Sequence, residues 1–269
     1  EMGFFYSYLM QTTMFQPKGG MDMIGKGFAR QISDIITYNA KVTKIAQNDK
    51  GVTATWEDLK TGKVSEAKAD YCVCTIPLAV LNQLDLQVGP KMKAAIGAVP
   101  YSNLLKIGLE FKRRFWEEDY SIYGGHSFTD QQIGLISYPN FDFFKDKPAV
   151  VLGAFSGGPG GYAMAGMTPE QRIEAALAQG SVFHPAEYRK EFMNGVSWIW
   201  SRTPWILGCC ASWTEASREQ HYQNLVAMDG RIVLAGEHAS YYGCWMEGAL
   251  LSSLDAIRSE EHTSELQSH

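Results

Sequence analysis

The sequence predicts an α/β chain of mixed type, in which short parallel strands alternate with helices and an antiparallel sheet is inserted between them. Three observations point there. Residues 231 to 235, RIVLA, form a short apolar run between Asp229-Gly230 and Gly236, as a strand buried on both faces does. It ends on Glu237, and a loop of small and aromatic residues leads to a helix opening around Trp245. Residues 70 to 76 make a second such run, stopped by Pro77, while residues 120 to 160 alternate short apolar segments with Gly, Pro, Asn and Asp turns, as antiparallel strands do.

The chain has 269 residues, 45% of them hydrophobic, which is enough for one large domain or two smaller ones. Its formal net charge is -5 and its basic residues are outnumbered and scattered, which excludes a nucleic-acid surface. The longest apolar run, residues 71 to 81, is too short to cross a bilayer and contains Pro77. Cysteines at 72, 74, 209, 210 and 244 fit neither a metal-ligand spacing nor a small secreted disulfide framework, so buried free thiols are expected. The first residues, EMGFFYSYLM, lack the basic start and apolar core of a leader and read as the remnant of a domain whose beginning is missing. A cytoplasmic and an exported protein are both compatible with that, as is a homo-oligomer.

In chain order, Lys18-Gly19-Gly20-Met21 opens a helix reaching Ser33, with Met21, Ile24, Phe28 and Ile32 close to one stripe. Residues 35 to 47 and 51 to 56 are strands meeting at an Asn48-Asp49-Lys50-Gly51 hairpin, and residues 63 to 69 form a further short strand. A helix follows over 91 to 98. Along the strand 101 to 111, Asn103, Leu105, Ile107, Leu109 and Phe111 point to one face, which leaves Lys106 on the other with Leu104 and Gly108. Residues 156 to 163 contain G-x-G-x-x-A, the weak form of a dinucleotide fingerprint. The match is rejected because Gly166 intervenes and a new helix is expected at Thr168, a good N-cap with Pro169 and Gln171 behind it, running to about Gly180. Residues 196 to 200 are an aromatic strand. After Ile257 the composition turns polar, without an apolar stripe to continue the helix, and residues 258 to 269 resemble a translated sequencing adapter, a non-native tail.

Strand, acid, loop and helix start together are a way to hold a polar cofactor, because the first turn of a helix offers unpaired N–H groups and partial positive charge. Gly248 and Ala249 leave that backbone open to close approach. The pattern Gly236-Glu237, then Trp245-Met246-Glu247-Gly248-Ala249 after a fixed gap, resembles the flavin-containing amine oxidases, which include monoamine oxidases and L-amino acid oxidases. The resemblance runs from about residue 17 to 257.

What the resemblance implies is an FAD-binding α/β domain without its N-terminal dinucleotide-binding unit, with an inserted substrate domain. Residues 1 to 16 would be a substrate-domain remnant, 17 to 86 and 201 to 257 the FAD-binding segments, and 87 to 200 the substrate domain. Glu237 with Gly236 and the turn from Cys244 to Ala249 would anchor the cofactor, and Val42 would contact its adenine through the backbone. Trp245 would form one wall of a cage before the flavin ring. Cys210 stands where the family commonly has the first aromatic of the cage, so that either Trp213 compensates or the cage has one aromatic wall. Lys106, ahead of Phe115-Trp116, would hold a water near flavin N5 and favour oxygen chemistry. FAD is expected to be noncovalent, Cys209 being the candidate for covalent attachment. The implied reaction is oxidation of a small amine or L-amino acid by oxygen, with hydride transfer to the flavin, imine hydrolysis and peroxide release. Two alternatives stand beside it: a noncatalytic truncated domain unable to hold FAD, and a flavin-dependent desaturase or isomerase on the same scaffold.

Overall fold

Apolar residues at every second position fold as strands, and runs opened by a capping hydroxyl or a proline fold as helices, through the residues that the computed structural model describes, 15–267, with side chains to Ser259. The order begins α1 (Asp22–Ile32), β1 (Ala40–Asn48), β2 (Gly51–Asp58), β3 (Val64–Ala69), β4 (Cys72–Cys74), α2 (Leu78–Leu81), β5 (Asp85–Leu86) and α3 (Pro90–Gly97). It continues with β6 (Leu104–Phe111), α4 (Phe115–Glu118), β7 (His126–Phe128), β8 (Leu135–Ser137), β9 (Ala149–Gly157), α5 (Gly158–Ala165), α6 (Pro169–Gly180) and β10 (Phe192–Ile199). It closes with α7 (Glu215–Val226), β11 (Ile232–Leu234) and α8 (Met246–Gln267). Three sheets result, with strand orders β3-β2-β1-β5, β10-β6-β9-β8-β7 and β11-β4.

By contacts the described residues fall into two units, one of 15–41 with 56–65 and one of 42–55 with 66–267. In the first, Gly19 and Gly20 turn the chain at φ +96° and +107°, which only glycine adopts readily, and α1 follows with no buried residue. Besides a small cluster of Val233, Ala235 and Ala256, the second unit holds two large cores. One is built on the inward face of β6, where Leu105, Ile107, Leu109 and Phe111 are all fully buried against Phe115, Trp116, Ala176 and Tyr188. The other gathers Ile45, Val52, Cys74, Leu78, Leu81, Met92, Leu225, Ile232 and Leu234 under the parallel pair β4 and β11.

The first core encloses an ion pair. Arg114 and Glu117 lie 2.5 Å apart with side-chain exposures of 2% and 0%, and the Phe144 N–H donates to the second carboxylate oxygen at 2.8 Å. Burial pushes the Glu117 carboxyl up, but Arg114 and the Phe144 amide together outweigh it and hold it below the ordinary carboxylate range. A carboxylate depressed in this way stabilises the fold above its unfolded pKa, and the contribution is lost as pH falls through the folded value. Arg114→Met strands the acid in the core and is expected to cost about 3–5 kcal/mol in urea denaturation at neutral pH.

Several elements differ from the sequence reading. The strand expected from Ile35 begins at Ala40, because Ser33–Ile35 tighten the end of α1 into a 3-10 turn. β4 is three residues long, and the aromatic strand starts earlier, at Phe192, since its pairing with β6 runs to Phe111, while Trp200 opens a 3-10 turn. The glycine run after β9 opens α5 directly, so the reason given for rejecting a dinucleotide fingerprint does not hold; β9, however, pairs antiparallel with both β6 and β8 and supplies no parallel crossover. The Thr168 capping box forms as expected, and residues 209 and 72 to 74 remain free thiols where cysteine, but Cys210 and Cys244 form a disulfide instead of the free thiols expected. Helix α8 runs past Ile257 to Gln267, because Arg258 to Gln267 contain neither Gly nor Pro to stop it. The expectation for residues 1 to 16 lies almost wholly outside the described residues.

Candidate functional site

Strand β11 is buried along its whole length because both faces are covered, and its last backbone link is Ala235 N–H to the Cys74 carbonyl at 3.0 Å. Gly236 then turns at φ +135°, and a Cβ there would press to 2.6 Å from the His238 ring. Its N–H donates to Ser252 Oγ on α8 at 2.9 Å. The chain thereby releases Glu237 at the head of a short 3-10 turn. Both carboxylate oxygens are engaged: Oε1 accepts the Ala211 N–H and Oε2 the Cys244 N–H, each at 2.9 Å. Glu237 thus ties two loops together, and each oxygen keeps capacity for a further donor.

Next to it, His238 is 2% exposed, and its Nε2 has no hydrogen-bond partner among the described residues. Burial pushes its pKa down to about 4, so the ring is neutral at physiological pH. A histidine held neutral in the fold takes no proton where the unfolded chain already does. Stability is therefore full above the unfolded value near 6.5 and falls as pH drops towards about 4, by roughly 3 kcal/mol in all. His238→Phe is expected to flatten that slope when urea midpoints are followed from pH 7 to 4; an unchanged slope defeats the assignment.

The second loop is laid down by pairing with the chain that leads into β6. Cys209 N–H donates to the Ser102 carbonyl at 2.8 Å, Ser102 N–H to the Cys210 carbonyl at 2.9 Å, and Tyr101 and Ala211 form an antiparallel bridge. Cys210 is buried and joined to Cys244, and Trp245, next in the chain, is 49% exposed at the head of α8. Met246 and Glu247 are exposed. Gly248 is buried, and a Cβ on it would drive into the Tyr242 carbonyl oxygen. The close approach that the sequence suggested at Gly248 is thus made by the chain's own loop. Trp213 donates Nε1–H to the His238 carbonyl at 2.9 Å and packs edge-on to Tyr222, which makes it a strut beneath the 236–240 turn. Arg218 lies over Trp213, Tyr222 and Tyr241 at 5.4, 5.0 and 4.6 Å and donates to the Ser240 carbonyl, closing the same strut.

Lys106 stands on the open face of β6. Across the sheet its register partners are Trp198 on β10 and Phe155 on β9, so three side chains form one row, with the ammonium 5.3 Å from the Phe155 ring centre. Trp198 is 52% exposed, and the open face is correspondingly aromatic. The Cys209 thiol sits among these charges: burial raises its pKa most, Lys106 pulls it back and Glu237 raises it. Glu237, Cys244 and Trp245 are thus held beside the 209–211 turn by the disulfide and the Glu237 carboxylate, and Lys106 on β6 bears electrostatically on Cys209 in that turn. Val42 is half-buried against the core under β11. Phe155, Trp198, Arg218 and Ser252 escaped the sequence reading. For Trp198, the parity of β10 against β6 carried the signal once the pairing was known. Arg218 gave no signal.

The site suits a flat conjugated group with hydrogen-bonding edges, since it offers exposed aromatic rings, an ammonium and a carboxylate with spare acceptor capacity. A depression lined by Gln47, Asn48, Asp49, Gly230 and Arg231 lies at the other end of β11 and takes no part. No helix of the described residues is long and apolar enough to cross a membrane. Mixed α/β layers with a carboxylate just past the end of a parallel strand are compatible with a flavin-binding oxidoreductase. Residues 3–257 match the model of the flavin containing amine oxidoreductases, and the chain belongs to that family. YobN of Bacillus subtilis is 29% identical over 89% of this chain and 51% of its own length. The flavin-dependent L-tryptophan oxidase RebO of Lentzea aerocolonigenes is 29% identical over 91% and 52%. Among solved structures, cyclohexylamine oxidase from Brevibacterium oxydans superposes with a TM-score of 0.76 at 19% identity, over 91% of this chain and 53% of that one, a likeness of fold. The chain spans about half the length of the relatives it matches.

Proposed function

We propose that the chain carries the flavin-facing and substrate-facing parts of an FAD-dependent oxidase of amines or L-amino acids. The observation that carries this reading is that Glu237 and Lys106, from two distant parts of the chain, both bear electrostatically on the Cys209 thiol, while Glu237 holds the Cys244 amide next to Trp245. Residues 17 to 86 and 201 to 257 form the FAD-binding segments and 87 to 200 the substrate domain. The parallel pair β4–β11 and the five-stranded sheet made of residues 104 to 199 support that division.

Bound FAD would supply the redox chemistry, oxidation of the carbon that bears the amine with oxygen as the final acceptor. The chain's own groups position and polarise. Glu237 fixes the two loops and offers its remaining lone pairs to the cofactor's polar side. Trp245 offers an exposed ring face along which a neutral amine aligns. Lys106 holds a water and places positive charge where oxygen gains electrons. The neutral His238 adds no competing charge. Burial keeps the Cys209 thiol protonated, which supports noncovalent FAD, because the thiolate is the reactive form.

The test is peroxide release by the full-length protein with FAD, over L-amino acids, which the sequence relatives suggest first, and then primary amines. Peroxide from at least one class supports the reading. A flavin-loaded protein that oxidises none of them, or passes electrons only to an acceptor other than oxygen, overturns it in favour of a desaturase or isomerase. The coverage of only about half of the relatives' length favours a second reading of the isolated chain, as a segment that does not retain FAD. An absence of flavin absorbance after reconstitution and gel filtration would establish that one.

A further inference from the structure

Two links join the turn at 209–211 to the loop at 240–244. One is the Glu237 carboxylate between the Ala211 and Cys244 amides; the other is the Cys210–Cys244 disulfide, anchored one residue from the first contact on one side and on the same residue at the other. Cys210 is 3% exposed and held by backbone pairing to residues 100–102, so it is the fixed end. Cys244 is exposed and held at φ +67°, an uncommon conformation for a residue other than glycine, in a loop whose Tyr241 and Tyr242 are also exposed. One peptide bond separates it from Trp245. Neither sulfur belongs to the two large cores. A single carboxylate contact at an exposed amide is readily exchanged for water, whereas a covalent bridge across 34 residues is not.

We propose that the Cys210–Cys244 disulfide is a positioning device for Trp245. It fixes the direction in which the indole faces the site, and its opening frees that wall while the fold stays intact. Opening takes a dithiol: two electrons and two protons pass to the two sulfurs, the S–S bond breaks to give two thiols, and the dithiol becomes a disulfide. Trp245 and the two cysteines act together, so the proposal rests on the reading of Trp245 as part of the site.

Peptide mapping of the chain without reductant is expected to give one cross-linked pair containing Cys210 and Cys244; free thiols at both positions overturn the proposal. Hydrogen exchange is then compared before and after dithiothreitol, and in the Cys210→Ser, Cys244→Ser double variant. Amides of residues 240 to 246 are expected to exchange about tenfold faster, with those of β6 and β11 unchanged. Unchanged exchange in 240 to 246 overturns the proposal, and so does global unfolding on reduction, which would make the bridge a staple of the fold. Should the double variant fail to fold, the reduced wild-type chain decides. In the FAD-loaded full-length enzyme, reduction is expected to raise the amine KM about tenfold with kcat within about twofold, a split that loss of folded protein does not produce. An active enzyme whose KM is unmoved defeats the positioning role and leaves the oxidase reading standing. No turnover in either redox state defeats the oxidase reading and, with it, the role of Trp245, whatever the exchange result.

Discussion

Lys106→Met is expected to slow reoxidation of the reduced holoenzyme by oxygen about a hundredfold, while reduction by substrate stays within a few-fold of wild type. Methionine keeps the unbranched stem that lies along Phe155 and removes only the charge. Losing one preorganised electrostatic stabiliser typically costs about 100–1,000-fold in a chemical step. The lower end applies because Lys106 is exposed on its sheet face, where water screens it. The effect belongs to the oxygen step, since an ammonium favours the charge that develops as oxygen accepts electrons and has little to offer a neutral amine losing a hydride. Stopped-flow absorbance separates the two halves: anaerobic mixing with substrate follows reduction, and mixing of the reduced enzyme with oxygen follows reoxidation. Equal slowing of both would reduce Lys106 to a structural residue, and unchanged reoxidation would remove it from the site.

How much of this was legible in the sequence depended on whether a residue's role is local. The alternation along 103–111 assigned Lys106 to the outer face, and the buried pattern Asn103, Leu105, Ile107, Leu109, Phe111 follows it. Thr168 and Gln171 announced their helix because a capping box is made by residues three apart. The Gly236-Glu237 and Trp245 to Ala249 pattern was legible through family likeness, but what Glu237 bonds to was not, since its two partners are backbone amides 26 residues before it and 7 after. The disulfide was missed for the same reason. Spacing does not say which cysteines meet, and the antiparallel bridge of Tyr101 to Ala211 that sets Cys210 in place is a long-range pairing. The glycine run after β9 was misjudged because Gly166 was weighed as a helix breaker, whereas in the fold it sits just beyond the end of α5. Ile24, Phe28 and Ile32 were correctly grouped on a helix, with Met21 as its N-cap, yet all four are exposed; a stripe declares that a face is apolar and does not name what covers it.

Gly248→Ala is expected to destabilise the chain by about 1–3 kcal/mol and to loosen the 240–245 loop. The usual direction is the opposite, because alanine in place of glycine inside a helix gains about 1 kcal/mol. Position 248 reverses the sign through its neighbours. The added methyl meets the carbonyl oxygen of Tyr242 far inside van der Waals contact and Ser240 Oγ at 2.8 Å, and the first of these is backbone that cannot rotate away. Relief requires moving either the first turn of α8 or the loop that carries Cys244, and each movement displaces Trp245. Gly25, within α1, supplies the control, since a Cβ there meets nothing within 4 Å. Gly25→Ala is expected to be neutral or to stabilise by up to about 1 kcal/mol. Urea denaturation of both variants tests the contrast, and hydrogen exchange over 240–246 tests where the strain goes. If Gly248→Ala matched Gly25→Ala in sign, the loop would have to yield without cost, and Trp245 would then lack the rigid seat on which its proposed role depends.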